Sequence, residues 1–401
     1  MLMRWRHEEQ VLAALRARGA MRRAELAVMV GLSRTTLSEI VVSLIRRGAV
    51  KVVATDAQSR RGSGRPAELI ALDPRSGQYL GVDFAHASVH VAVVDASYEV
   101  IAAQQRDLAA DAEWGERIAA ALSLVEEMEA GGTRFGELQG VGVGLPGPYS
   151  PAWSRDHSAA REVSERARRA VESAVRERFG LTPQLDTNTR FAALAEAVHG
   201  DMVDSDLVYL RIAAGIGGGV VVGGRLVHGG RGLAGELGHV SARTNGRPCR
   251  CGKRGCLETV ASVPAVLESC RERGLELRSL DDLEDASERA EPIAEEVLRE
   301  AGTAVGRILA ATVLALNPSD IVVGGTLPRI APVFVQQVAS TITFEVHTIN
   351  GARPRVRVSE LGDSGGATGA ILALVHRTSL LADYPGSHTK PSVPRLRRSP
   401  A

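Results

Sequence analysis

The stretch HVSARTNGRPCRCGKRGC (239–256) gathers three of the chain's four cysteines into eight positions and sets a histidine ten residues ahead of the first. Four cysteines in 401 residues are too few for a disulfide framework, and three crowded together cannot staple a large protein. A reducing interior and a metal site are expected instead. The spacing His239-x9-Cys249-x-Cys251-x4-Cys256 offers one imidazole and three thiolates, a set that suits tetrahedral zinc with every position filled by protein. No position is left for a reacting water, so such a metal is structural and pins a loop of about twenty residues that has little core of its own. Gly246, Pro248, Gly252 and Gly255 supply the turns a compact chelate needs, which argues against unligated loop cysteines. Cys270 falls on a later helical stretch and reads as a small buried apolar residue.

Around this loop the composition is ordinary: 44% hydrophobic, 24% charged and only 3% aromatic, so Leu, Val, Ile and Ala must build the core. No run has the length and apolarity of a membrane-spanning helix, and no opening segment has the form of a secretion signal. A soluble, cytoplasmic protein of two or three domains is expected. The net charge of +1 conceals an asymmetry: residues 1–65 carry 13 Lys and Arg against 5 Asp and Glu, the remainder 35 against 42. The basic end suits a polyanion.

That end has its own pattern. Residues 7–18 place Val11, Leu12 and Leu15 on one helical face, a second helix is expected over about 22–30 with Leu26 and Val30 inward, and GLS follows as a tight turn. In that turn Gly31 is expected at positive φ and Ser33 as the cap of a third helix, which buries Leu37, Ile40, Val41, Leu44 and Ile45. Arg34, Thr35 and Ser38 then point outward. The next stretch, to Asp73, reads as two short strands around a loop bearing Arg60, Arg61 and Arg65. Helix, helix, tight turn, basic helix and wing spell a winged helix-turn-helix, with Arg34, Thr35 and Ser38 as candidate major-groove or phosphate contacts and Arg65 as a candidate for a narrow minor groove.

From Tyr79 the pattern changes to apolar strands joined by tight turns. A helix is expected over about 112–130, then a buried strand ending in LPGP, a charged amphipathic helix over about 159–178, and a short strand running through DTNT into a helix. LVYLRIAAGIGGGVVVGGRLVHGG (207–230) reads as two strands with a glycine-rich turn suited to close approach of backbone amides to an anion. Strands and helices alternate again from Glu300 to Arg377, and the Pro-rich, basic residues 384–401 read as a disordered tail.

GLAGELGHVSARTNGRPCRCGKRGCLETVAS (232–262) resembles the zinc-site signature of the ROK family (repressor, open reading frame, kinase). GVGLPGP (142–148), IAAGIGGGVVVGGRL (212–226) and NPSDIVVGGTL (317–327) are similar to the family's Gly-Pro loop, glycine-rich phosphate turn and nucleotide-side strand, so the resemblance covers nearly the whole chain. A helix-turn-helix ending in GRP marks the repressor branch. The implied architecture is a mainly α winged helix-turn-helix over 1–75, then a two-lobed α/β actin-like sugar-kinase domain. Lobe 1 takes 78–188 plus 361–378, and lobe 2 takes 189–360 with the zinc loop 239–256. The resemblance also implies that Glu236, His239 and Glu258 hold sugar hydroxyls. Chemistry agrees, since carboxylates accept from vicinal hydroxyls and a zinc-bound imidazole is held in a fixed orientation.

Kinases of the family carry an Asn-Asp pair whose Asp is the general base. Counting back from Glu196 through ALAE puts Thr187 and Asn188 on that pair, and an amide cannot take the proton. Asp186 shares the direction of Asn188 along a strand but sits several Å away. The first phosphate loop is also altered, with Ala85 where the family has Gly. The expectation is therefore a non-enzymatic, sugar-sensing transcriptional regulator, probing a near-palindromic operator as a homodimer or homotetramer, with Asn188 kept as a sugar contact and a sugar or sugar phosphate as effector. An ATP-dependent sugar kinase with a DNA-binding head, and a ligand-independent regulator with a vestigial pocket, are the alternatives.

Overall fold

The computed structural model describes residues 7–377 apart from 8–9, 13, 16–17, 47–48, 56–67, 74–75, 95–99, 133–136, 148–158, 200–205, 347–352 and 363–364. Arg60, Arg61, Arg65 and the expected tail lie outside the described residues. The chain divides into two compact units, one built on Met1–Gln78 and the other on Tyr79–Val94 with Val100–Leu374.

In the first unit Val11, Leu12 and Leu15 lie in helical backbone and are buried. Strand β1 (Met21–Arg22) leads into α1 (Arg23–Met29), which buries Leu26 and Ala27, and α2 (Arg34–Arg46) buries Leu37, Ile40, Val41 and Leu44 on one stripe. Ile45, expected inside, is only partly buried at the edge of this core. The two helix axes turn through 112°. Gly31 takes φ +65° in the turn, and Ser33 Oγ accepts from Thr36 N at 3.1 Å, so turn and cap fall where the sequence puts them. Strands β2 (Val50–Thr55) and β3 (Glu68–Leu72) pair antiparallel. The start of the second helix is corrected: Met21 and Arg22 pair with Ile70 and Leu69 on the far edge of β3. That partner is distant in the chain, so no local pattern announces it.

The second unit is organised by two five-stranded sheets. The first holds β4 (Ser76–Phe84), β5 (Ser88–Val94), β6 (Val100–Asp107), β7 (Glu137–Leu145) and β8 (Gln184–Thr187), in the order β6-β5-β4-β7-β8. The second holds β9 (Leu207–Ile212), β10 (Ile216–Val222), β11 (Arg225–Leu226), β12 (Asp320–Gly324) and β13 (Arg355–Val358), in the order β11-β10-β9-β12-β13. Numbered within each sheet, both orders are third, second, first, fourth, fifth. Both combine an antiparallel meander (β4/β5/β6 and β9/β10/β11) with parallel pairs (β7/β8, and β9/β12/β13). Parallel neighbours need helical crossovers. In the first sheet these are α3 (Trp114–Ala130) and α4 (Ala159–Phe179), both within a residue or two of expectation.

The chain passes between the sheets through α5 (Asn188–His199), which follows β8 directly, and returns after β13 through residues 359–361 to α12 (Gly365–Arg377). Between these lie α6 (Glu258–Ala261), α7 (Val263–Glu272), α8 (Leu280–Glu288), α9 (Pro292–Leu316), α10 (Thr326–Ile330) and α11 (Pro332–Glu345). Cys270 is fully buried on α7, as a small apolar residue would be. The two crossings are fastened to each other. Phe191 and Leu194 pack on Ala370 and Ala373. The buried Glu196 carboxylate accepts from Arg357 Nη1 and Ser359 Oγ, each at 2.6 Å, and from the backbone N–H groups of Glu360 and Leu361.

At the helix crossing a Cβ on Gly369 would collide with the carbonyl oxygen of Phe191. Gly369→Ala is therefore expected to lower the denaturation free energy by about 1–3 kcal/mol, although alanine is the better helix former. A denaturant titration of wild type and variant checks this; equal midpoints would remove the close crossing.

Candidate functional site

The site grows from the point where β8 runs into α5 with no intervening turn. Asn188 is buried, and its Nδ2 donates to Phe84 O at 3.2 Å, which turns the amide toward the first sheet. The carboxylate of Asp83 is buried close by: a Cβ on Gly144 would stand 3.1 Å from Asn188 Cα and 3.2 Å from Asp83 Oδ1. Residues 85–88, where the family's first phosphate loop is expected, form a tight turn closed by Ala85 N donating to Ser88 O at 2.9 Å. The buried Arg117 guanidinium donates to Ala85 O and His86 O and holds that turn.

Asp186 faces the other way. Its Oδ1 accepts from Thr187 N at 2.7 Å and Arg190 Nη1 at 3.0 Å, and its Oδ2 lies 2.6 Å from Nε2 of the half-exposed His228. Arg190 is 1% exposed and donates to Asp186, to Glu236 Oε1 at 3.3 Å, and to the carbonyl oxygens of Gly232 and Ala234. Glu236 precedes the short 3₁₀ turn Leu237–His239. Burial holds its carboxyl above the usual carboxylate range, against the pull of Arg190 and Arg250, while Asp186 and Glu258 add repulsion. Glu258 opens α6. Its Oε2 accepts from Ile216 N at 3.0 Å, and Arg250 forks onto it, Nε to Oε1 at 3.0 Å and Nη2 to Oε2 at 3.2 Å.

Glu258 is thus close enough to both Glu236 and His239 to act on their protonation, whereas the Asn188 amide is directed at Phe84. Arg190, His228 and Arg250 were not anticipated, and Asp186 enters the charged cluster although its position looked remote. One signal was available: Asp186 and Arg190 are four apart across a helix start, the spacing of an ion pair. His228 carried none. The glycine run also has a protein partner, because Cβ atoms on Gly218 and Gly219 would stand 2.6 Å from Gly235 O and Ala193 Cβ. These glycines bring β10 against α5 and the Glu236 loop.

Next to this cluster the loop 239–256 folds on itself through the Ser241/Cys256 and Pro248/Arg254 bridges. One donor atom from each of His239, Cys249, Cys251 and Cys256 lies within 4.8 Å of the others. Cys249 Sγ is 3.6 Å from His239 Nδ1, and Cys251 Sγ is 3.5 Å from Cys256 Sγ. A tetrahedron with metal–sulfur bonds of ~2.3 Å has edges of ~3.8 Å, so the donor set fits a metal. Burial and the neighbouring thiols push the Cys256 thiol up to about 12, a mutual crowding that a divalent cation would relieve by displacing the thiol protons, which are released to solvent. His239 turns Nδ1 to this cluster, leaving Nε2 on the opposite side of the ring.

In the first unit Arg34 and Thr35 are exposed at the start of α2. Ser38 accepts from Arg23 Nη1 at 3.1 Å, and Arg23 also pairs with Glu68 at 2.8 Å, so the Ser38 hydroxyl is tied to α1 and β3.

Residues 79–378 match the ROK family. The chain belongs to that family. It is 29% identical over 373 residues to the DNA-binding transcriptional dual regulator NagC of Escherichia coli, covering 90% of each chain. Among solved structures it resembles a ROK family transcriptional regulator described as a homolog of the E. coli MLC protein, at TM-score 0.73 and 22% identity over 94% of this chain and 98% of that one. It also resembles the ROK hexokinase of Thermus thermophilus, at TM-score 0.60 and 28% identity over 74% of this chain and 97% of that one. The two sheets and their repeated order are thus the actin-like sugar-kinase fold expected of a ROK chain.

Removing Arg190 takes the cation from the buried Asp186 and the mostly buried Glu236, so Arg190→Met is expected to cost about 3–5 kcal/mol of stability. Asp186→Asn keeps an acceptor for Arg190 and is expected to cost clearly less. Thermal and denaturant unfolding of both variants checks the order; equal losses would contradict a central role for the guanidinium.

Proposed function

We propose that this ROK protein is a sugar-responsive transcriptional regulator, acting as a repressor, whose kinase-like cleft senses a ligand without phosphorylating it. The observation that carries the reading is coverage: similarity to the regulators extends over 90% or more of the chain, whereas the hexokinase leaves about a quarter of it unmatched. The head of residues 1–75 is read as a winged helix-turn-helix, supported by the 112° turn between α1 and α2 and by the paired strands β2 and β3. Arg34 and Thr35 are its base or phosphate contacts, with Arg65 a minor-groove candidate, and the Ser38 hydroxyl serves within the head. Symmetric dimers or tetramers engage near-palindromic sites. Among the described residues no single helix is long and apolar enough to cross a membrane, in keeping with a cytoplasmic regulator.

In the cleft, Glu236, His239 and Glu258 hold hydroxyls of a sugar or sugar phosphate, and Asn188 lines the first-lobe side. Zinc on His239, Cys249, Cys251 and Cys256 fixes the imidazole and the loop. Phosphoryl transfer needs a carboxylate with a lone pair free for the sugar hydroxyl. Asn188 offers an amide, Asp186 already accepts from three groups, and the 85–88 turn is closed on itself. This disfavours the kinase alternative.

Purified protein is expected to retain operator-like DNA whose half-sites lie about one helical turn apart, and Arg34→Ala to weaken retention at every salt concentration. The matching sugar shifts that affinity about tenfold, a coupling of roughly 1.4 kcal/mol, and incubation with ATP and the same sugar yields no sugar phosphate. Sugar phosphate formed with turnover abolished by Asp186→Ala would install the kinase reading instead. Metal analysis is expected to find one zinc per chain, lost in Cys251→Ser with unfolding of the 239–256 loop by hydrogen exchange.

A further inference from the structure

We infer that Arg250, the residue between the first two cysteines, is a specificity-determining residue of the cleft that selects sugars carrying an acidic group, phosphate or carboxylate, over their neutral parents. This rests on the reading of the cleft as a sugar site.

The argument starts from Glu258. Its two oxygens accept a parallel pair of N–H donors from Arg250, at 3.0 and 3.2 Å, and a third from Ile216 N at 3.0 Å. Two donors in one plane on one carboxylate are also what a vicinal pair of sugar hydroxyls presents. The guanidinium therefore occupies the place that a sugar diol takes, and a ligand held by Glu258 must displace it. Glu258 is nearly buried, whereas the Arg250 side chain is 60% exposed, so the arginine is the partner that moves. It cannot move far. Its backbone lies between Cys249 and Cys251, both in the four-donor cluster, and the loop is tied again by Cys249 N donating to Lys253 O.

Displacement leaves a cation at the rim without its carboxylate. The other acids are already served: Asp186 by Arg190 and His228, and Glu236 by Arg190. Lys253 and Arg254 on the same loop add positive charge. A neutral sugar breaks the Arg250–Glu258 fork and returns nothing to Arg250, whereas a sugar with a phosphate or carboxylate gives the freed guanidinium a second bidentate partner. Discrimination thus arises from one exchange of partners, hydroxyls for guanidinium on Glu258 and an anion for Glu258 on Arg250.

The test uses the zinc-replete full chain and isothermal titration with matched probes: N-acetylglucosamine and its 6-phosphate, glucose, glucose 6-phosphate and glucuronate, and inorganic phosphate alone. At least one acidic sugar is expected to bind ten or more times tighter than its neutral parent. Arg250→Gln is expected to cut that ratio to about threefold or less, and Arg250→Lys to restore part of it; phosphate and carboxylate arms tell the two anions apart. For wild type alone, raising the salt concentration should weaken the acidic ligand and leave or tighten the neutral one, a readout that needs no variant. Neutral parents binding as tightly as acidic forms, a ratio untouched by Arg250→Gln, or inorganic phosphate binding as tightly as the sugar phosphate would each overturn the assignment of Arg250. Failure of every sugar, with DNA binding intact, would instead sink the reading of the cleft as a sugar site, and this inference with it.

Discussion

One guanidinium holds the site in register. Arg190 is almost without solvent, and a cation in such a place costs several kcal/mol unless good geometry returns it. Here the return comes from two carboxylates and two carbonyl oxygens that belong to different parts of the fold. Asp186 ends the last strand of the first sheet, while Gly232, Ala234 and Glu236 belong to the loop that follows the hairpin of the second. The motif loop is therefore set by α5, the helix that carries the chain from one sheet to the other. Gly218 and Gly219 make this possible by letting β10 approach that helix at distances a side chain forbids.

The two sheets repeat one strand order, yet no repeat is visible in the sequence. A meander continued by parallel crossovers asks of each inner strand only an apolar run of five to nine residues, and of each crossover only a helix with one apolar face. Those demands are met by LVYLRI as readily as by SVHVAVV, so the fold duplicates while the residues diverge. The two crossings between the halves are fastened by one polar and one close-packed contact: Glu196 gathering Arg357, Ser359 and two backbone amides, and Phe191 seated against the α12 glycine. Neither contact has a local signature, since each joins residues more than 150 positions apart.

Legibility followed the range of the interaction. The Gly31 turn, the Ser33 cap, the apolar stripe of α2 and the convergence of His239 with three cysteines were all readable, because each is decided within a few residues. Arg22, expected as the first residue of a helix, ends β1 instead, because its partner lies on β3. Arg190 is a similar case: composition places arginine outside, and only the fold shows the two carboxylates that bring it in. The glycine-rich run was read as an anion cradle. Its glycines at 218 and 219 answer a packing need, which periodicity cannot separate from a binding one.

The charged cluster also bears on the sensing role proposed for the cleft. A general base works with a lone pair held ready for the substrate, whereas Asp186, Glu236 and Glu258 are each closed by a guanidinium. A ligand entering such a site gains affinity by exchanging partners, and each exchange releases an arginine from its carboxylate. Arg250 sits on the four-donor loop, and Arg190 on the crossing helix whose far end is fastened by Glu196. Ligand binding is then coupled to the arrangement of these elements by the difference in pairing before and after, which is the differential free energy any regulator requires. A kinase with the same fold spends that interaction on the transition state; in the proposed regulator the closed ion pairs direct it into the choice between conformations.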